Sequence, residues 1–426
     1  MKNSGVEWIG MIPDGWCVGR VKSSFTRKDS KAQQDNPVIL SLARSGVKVR
    51  DMSNNEGQIA ESYYNYNLVE PGDLLLNPMD LYSGANCSIS KVSGVISPAY
   101  INLRANEGVN PVFYDYYFKT QYWAMAMFAH GKGVSYENRW TMGMDTLNNY
   151  FIPVPSYQEQ NRIADFLDAK CAAIDDVIAK TNESIEEYKK LKQAVITEAV
   201  TKGVRGNRPM KSACSDWFTE IPNEWQVRKV LSFLDMRVID GPHESPELHE
   251  QGIPYVSATA IENGKICFDK MRGFISPEYC DICDKRYVPK RNDILMIKLG
   301  ASTGQVAIVD TDRRFNIWVP LAAIRCNASA SYKYMYYCFQ STNLIRQMEL
   351  SWTFGTQQTL GVKTIEQLKV TFPPLDEQRE IADYLDSKCA AIDTLISKKQ
   401  QFIDELTAYK KSLIYEYVTG KKEVPA

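Results

Sequence analysis

Cys280 and Cys283 form a CxxC, with Cys267, His243 and His249 upstream. A zinc site needs four such ligands brought together, and a CxxC without a second pair is more often ordinary loop or core. With only 3 histidines in the chain, His130 being the third, no metal centre or acid–base constellation stands out. No GxxxxGK[ST] phosphate loop occurs, so no ATP motor is expected in this chain. Leu299–Val306 (LGASTGQV) has two glycines but no lysine after them, and reads as strand–turn–strand. Asn77-Pro78 shares its first two residues with the NPPY motif of adenine methyltransferases. It continues Met79-Asp80, without the aromatic residue that would stack on a flipped base, and no Gly-rich cofactor loop accompanies it. Neither catalysis nor a cofactor is expected.

Were the chain to act on nucleic acid, polar side chains in its loops would be the ones to read base edges. Arg, Lys, Asn and Gln do this best, with Ser and Thr in support. In the first half the candidates are Arg44, Lys48 and Arg50 (LARSGVKVR), then Lys132, Asn138 and Arg139. In the second half they are Lys298, Ser302 and Thr303 (KLGASTG), then Gln357 and Gln358 (FGTQQT). The plain alternative for each is a solvated surface residue, or a phosphate contact that carries no sequence information.

The elements that must position these residues come twice. The segment from Pro155 aligns without a gap to that from Pro373, Gln160 matching Gln378 and Val200 matching Val418, with about half the positions identical. Such a repeat implies two equivalent modules. It extends to Trp8, Ile12, Pro13, Trp16, Val18 and Val21, echoed by Trp217, Ile221, Pro222, Trp225, Val227 and Val230. Weaker echoes pair Asp73-Leu74-Leu75 with Asp293-Ile294-Leu295, and Tyr114, Tyr116 and Tyr117 with Tyr334, Tyr336 and Tyr337. Ile163, Leu167, Cys171, Ile174, Ile178, Thr181, Ile185 and Tyr188 follow the three–four spacing of a coiled-coil seam, repeated from Ile381 to Leu406. Gly203 and Gly420 are natural stops, Ser156 and Asp376 are candidate caps, and Glu159 and Glu377 suit the first turns. The spacing predicts two long antiparallel helices, each about 65–70 Å at 1.5 Å per residue.

Both front parts mix short apolar runs with turn signals: VILSLA, DLLLN and VISPAYINL, then IPYVSAT, DILMIKL, QVAIV and VPLAAIR. These predict strands, followed by a helix at 111–128 and its counterpart at 331–349. The fold class is therefore α+β: two globular domains with small twisted or barrel-like sheets, two long coiled-coil helices between them, and an internal pseudo-two-fold repeat. The boundaries are 1–155, 156–203, 204–373 and 374–426, with 204–213 as a polar, basic linker. The segments carry net charges of 0, −2, +3 and −2, so the variable parts are the less acidic ones. That is compatible with nucleic-acid contact through local patches. No apolar run is long enough to cross a membrane, and the N-terminus lacks a secretory pattern. The 10 scattered cysteines are read as free, buried thiols of a cytoplasmic protein.

Taken together, the repeated E-Q-x-x-I-A-x-x-L-D-x-K at Glu159–Lys170 and Glu377–Lys388, and the Trp8–Trp16 and Trp217–Trp225 segments that open the variable parts, resemble the DNA-specificity subunit of type I restriction–modification enzymes. The resemblance covers essentially the whole chain. It implies two target-recognition domains, at 1–155 and 204–373, and two helical regions forming a spacer. It implies a non-catalytic subunit that reads a bipartite double-stranded DNA target. Its partners would be two methyltransferase subunits, with ATP-driven restriction subunits in the holoenzyme. Because the front parts differ more than the rear parts, the two half-sites should differ. The competing readings are a coiled-coil interaction scaffold without DNA function, and an enzyme with unrecognised motifs.

Overall fold

The computed structural model describes residues 1–33, 36–52, 60–79, 81, 86–133, 140–354 and 357–425. The chain forms two compact units, Met1–Thr181 with Gln401–Ala426, and Asn182–Gln400. Neither is a simple half of the sequence. Each takes the beginning of one long helix and the end of the other.

In unit 1 a four-stranded antiparallel sheet is built from β1 (Phe25–Arg27), β4 (Leu74–Leu76), β5 (Cys87–Ile89) and β6 (Ile101–Ala105), in the order β1-β6-β4-β5. A hairpin of β2 (Leu40–Ala43) and β3 (Gly46–Val49) stands apart from it. Helix α1 (Pro111–Trp123) follows, then the long helix α2 (Tyr157–Lys202). Unit 2 repeats the frame with β7 (Ile239–Asp240), β8 (Ile294–Ile297), β9 (Val306–Ile308) and β10 (Leu321–Ile324), in the order β7-β10-β8-β9. Helices α3 (Tyr332–Gln340), α4 (Thr342–Leu350) and α5 (Leu375–Val418) complete it.

Strands β4 and β8 are apolar at every position because both faces are covered. Leu74 and Leu76 enter one cluster and Leu75 another, as successive side chains of a strand alternate. In β8, Ile294 and Met296 enter one cluster while Leu295 and Ile297 enter a second. Buried acids anchor both strands. The Asp73 carboxylate accepts from Glu70 N at 2.8 Å and pairs with Arg104 at 2.5 Å. Asp293 accepts from Lys290 N at 2.8 Å and pairs with Arg325 at 2.7 Å. The faint Asp73–Asp293 echo is thus one structural device used twice.

The helix stripe packs as its spacing predicts. Ile163, Leu167 and Cys171 are buried with Leu413, Ile414, Tyr417 and Val418 in the core of unit 1. In unit 2, Ile381, Leu385 and Cys389 are buried with Ile196, Ala199 and Val200. Asp175 pairs with Lys410 at 2.6 Å in unit 1, and its repeat equivalent Asp393 pairs with Lys192 at 2.7 Å in unit 2. Each unit thus repeats the same helix contact at matched positions. Within each unit the partner numbers fall as the helix numbers rise, so the paired segments are antiparallel.

Several local expectations need correction. Ser156 does cap α2, its Oγ accepting from Glu159 N at 3.2 Å, but Asp376 lies inside the first turn of α5, which begins at Leu375. The single helix expected over 331–349 is two. Ser341 has an extended backbone, ends α3, and accepts from Leu344 N to start α4. The helix expected over 111–128 stops at Trp123, because Met125 takes a left-handed φ of 55°. The segment 204–213 is not a free linker. Arg208 is held by Glu377 and Glu224, and a strand begins at Met210. The thiols are not all buried, since Cys17 and Cys214 are exposed. No described helix is long and apolar enough to cross a membrane.

Candidate nucleic-acid interface

Each unit fixes its loops from the helix start. Gln160, fully buried, accepts through Oε1 from the Asn110 backbone N–H at 2.9 Å and donates to Pro155 O at 3.0 Å. Gln378 accepts from Ser331 N at 2.8 Å and donates to Pro373 O at 2.9 Å. Asn110 and Ser331 are the caps of α1 and α3, so one glutamine ties each long helix to its domain helix. A tyrosine adds a second tie: Tyr116 donates to Asp168, and Tyr337 to the equivalent Asp386, both at 2.7 Å. The counterpart of Tyr116 is therefore Tyr337, one residue beyond Tyr336.

In unit 2 this frame brings the two predicted segments together. The loop after β8 and the segment after α4 join through Gly300 N to Gln358 O at 3.0 Å and Leu360 N to Lys298 O at 2.9 Å. Ser302 and Thr303 lie in the turn between β8 and β9, half-buried, with the Thr303 hydroxyl donating to Gly300 O at 2.7 Å. Gln357 is exposed and Gln358 half-buried. Lys298 departs from its expected place at the surface. Its side chain is 7% exposed and its ammonium meets Asp240 at 3.0 Å. Burial opposes the charge of Asp240, but Lys298, His243 and Arg286 hold its carboxyl below the usual range.

Unit 1 builds the same junction. Met142 N donates to Pro78 O at 2.9 Å, and Leu81 N to Trp140 O at 3.2 Å. Lys132 is exposed at the base of the loop after α1, where it exchanges two 2.9 Å backbone hydrogen bonds with Thr141. Asn138 and Arg139 lie outside the described residues. The β2–β3 hairpin joins the same cluster through Asn86, whose amide donates to Ala43 O. Arg44 is exposed in its turn, and Lys48 is exposed opposite Ser41. These two strand residues occupy the face away from Leu40 and Leu42, while Arg50 is half-buried just past β3. In unit 2, sequence reasoning missed Asp240, Arg286 and the exposed Arg272, which stacks on Trp318 at 3.6 Å. No spacing signal points to them. Cys280 and Cys283 are buried on a short helix, and the described residues hold no group of three or more His, Cys, Asp or Glu that could bind a metal.

Comparison with known proteins agrees with this frame. The family described as "Type I restriction modification DNA specificity domain" matches residues 222–405. The type I restriction enzyme EcoBI specificity subunit of Escherichia coli is 23% identical, over 97% of this chain and 86% of that one. The MjaVIII specificity subunit of Methanocaldococcus jannaschii is 22% identical, over 84% of this chain and 80% of its own. The crystal structure of the HsdS subunit from Thermoanaerobacter tengcongensis superposes with a TM-score of 0.50 at 18% identity, covering 99% of this chain and 100% of that one. A chain from a study of assembly and conformational transition in a type I R-M system reaches 0.70 at 19% identity, covering 97% and 100%. Repeat, sheet order and helix pairing agree with these likenesses: residues 222–405 match the type I restriction–modification DNA specificity domain, and the chain over nearly its whole length is similar to specificity subunits of type I restriction enzymes.

Proposed function

We propose that the chain reads a bipartite, asymmetric double-stranded DNA target and does no chemistry itself. One half-site falls to the loops of 1–155 and the other to those of 204–373. The observation that carries this reading is the loop junction present in both units. Pro78–Met142 and Lys298–Leu360 use the same backbone bond, yet they present different side chains. A shared frame with divergent tips suits two different short sequences. Arg44, Lys48, Arg50, Lys132, Asn138 and Arg139 serve the first reader, and Ser302, Thr303, Gln357 and Gln358 the second. Helices of 46 and 44 residues supply the spacer that fixes the register of the half-sites. Two methyltransferase subunits dock on the chain, and ATP-dependent restriction subunits complete the cytoplasmic holoenzyme.

The test is a base-resolution methylome of the source strain with and without the gene. Deletion is expected to remove one bipartite motif with unequal halves. If no motif changes, and the chain with its methyltransferase partner binds no duplex, the reading fails in favour of a protein scaffold.

A further inference from the structure

At the end of β7, unit 2 gathers an uneven set of charges. The Asp240 carboxylate, 9% exposed, receives Lys298 Nζ at 3.0 Å, His243 Nε2 at 3.1 Å and Arg286 Nη2. One negative charge faces two permanent positive ones, so the cluster is positive even with His243 neutral. The Lys298 charge is enclosed, and the surplus emerges on Arg286, 50% exposed. Arg286 carries five N–H donors in a planar fork. Asp240 is its only side-chain partner given among the described residues. Of the neighbouring acids, Asp281 and Asp284 share Arg314, and Glu244 keeps its charge while accepting from the neutral Tyr279 hydroxyl.

The same cluster holds the second reading loop. Lys298 N donates to Pro320 O at 2.8 Å, Lys298 O accepts from Leu360 N at 2.9 Å, and its side chain is fixed by Asp240. The equivalent position in unit 1 is Pro78, which cannot carry such a charge. The device therefore belongs to one reader only.

We propose that Asp240 is a positioning residue for the 298–304 loop, and that Arg286 holds a backbone phosphate of the half-site that this loop reads. A phosphate contact fixes the register of the duplex, and the base contacts of the loop depend on that register. This inference rests on the DNA-reading role above.

The test uses the full chain in complex with its methyltransferase subunits. One duplex carries the motif given by the methylome, and a second has the unit 2 half-site scrambled. Binding is followed from roughly 50 to 200 mM salt. Arg286→Ala is expected to weaken both duplexes by the same factor, about 3–10-fold, and to make the salt slope shallower by about 1. An unchanged slope overturns the phosphate contact. Asp240→Asn strands a buried ammonium and risks unfolding the domain, so Asp240→Asn with Lys298→Met replaces the pair as a whole. This double variant is expected to reduce the preference for the target over the scrambled duplex by about tenfold or more. A retained preference overturns the positioning role. If the wild-type complex binds neither duplex, the DNA-reading role itself falls, and no variant is needed to see it.

Discussion

Trp16 and Trp225 occupy equivalent positions and are both buried, but their indole N–H groups differ in fate. Trp225 Nε1 donates to Glu377 Oε2 at 2.9 Å, within the group that also contains Arg208, whereas Trp16 Nε1 has no hydrogen-bond partner among the described residues. Replacing an indole by phenyl removes similar volume at both sites. Trp225→Phe is expected to lose, in addition, a charge-assisted hydrogen bond of about 1.5–3 kcal/mol. Chemical denaturation of the two variants should place Trp225→Phe well below Trp16→Phe, and equal losses would contradict the pairing. The two glutamines offer a sharper test. Gln160→Ala or Gln378→Ala leaves a buried cap N–H without its acceptor and is expected to cost about 1–3 kcal/mol, read as a lower unfolding midpoint. The thiols report burial. Burial pushes Cys389 and Cys280 each up to about 11. Their folded values lie above the unfolded value near 8.5, so their contribution to stability is complete below that pH and is lost as pH rises towards 11. At pH 8 a thiol reagent should modify Cys17 and Cys214 in the folded chain and spare Cys389 and Cys280 until denaturant is added.

Among the elements, the long helices were legible because a three–four stripe without Gly or Pro has few other outcomes, and Ile163, Leu167, Cys171, Ile381, Leu385 and Cys389 of that stripe are buried. The strands were legible as apolar runs between turns. The break at Ser341 was not, because a serine that closes one helix and caps the next reads in sequence as one polar position in a helical pattern. The burial of Lys298 was hidden for a different reason. Its partner Asp240 is far away in the chain, and only the pairing of β7 with β10 beside β8 brings the two together. The helix ends give a prediction of their own. Gly203 and Gly420 take φ of +79° and +70°, and a Cβ on Gly203 would lie 3.0 Å from Glu377 Oε1 and 3.2 Å from the Trp225 ring. A Cβ on Gly420 would run into Pro13 and come within 3.2 Å of the Trp16 ring. Gly203→Ala and Gly420→Ala should each destabilise by more than about 1 kcal/mol, the ordinary cost of forcing alanine into the left-handed region. Thermal melts of the single variants check this, and a neutral result would show that the helix ends can shift.

At the scale of the whole molecule, the division into units cuts across the division into repeats. Unit 2 is one continuous stretch, Asn182–Gln400, whereas unit 1 joins Met1–Thr181 to Gln401–Ala426. During synthesis the two units therefore mature out of order. The ribosome delivers Leu413, Ile414, Tyr417 and Val418 last, and until then Ile163, Leu167 and Cys171 lack the side chains that cover them. At about 5–20 residues per second, the first part of unit 1 waits on the order of 10–40 s for its completion. A nascent chain stalled near Gln400 should resist protease across 182–400 and be cleaved within the first 181 residues, and release of the full-length chain should protect both. The amino-terminal reader would then be the last part of the protein to become competent, leaving a newborn chain that can engage only one half of its target.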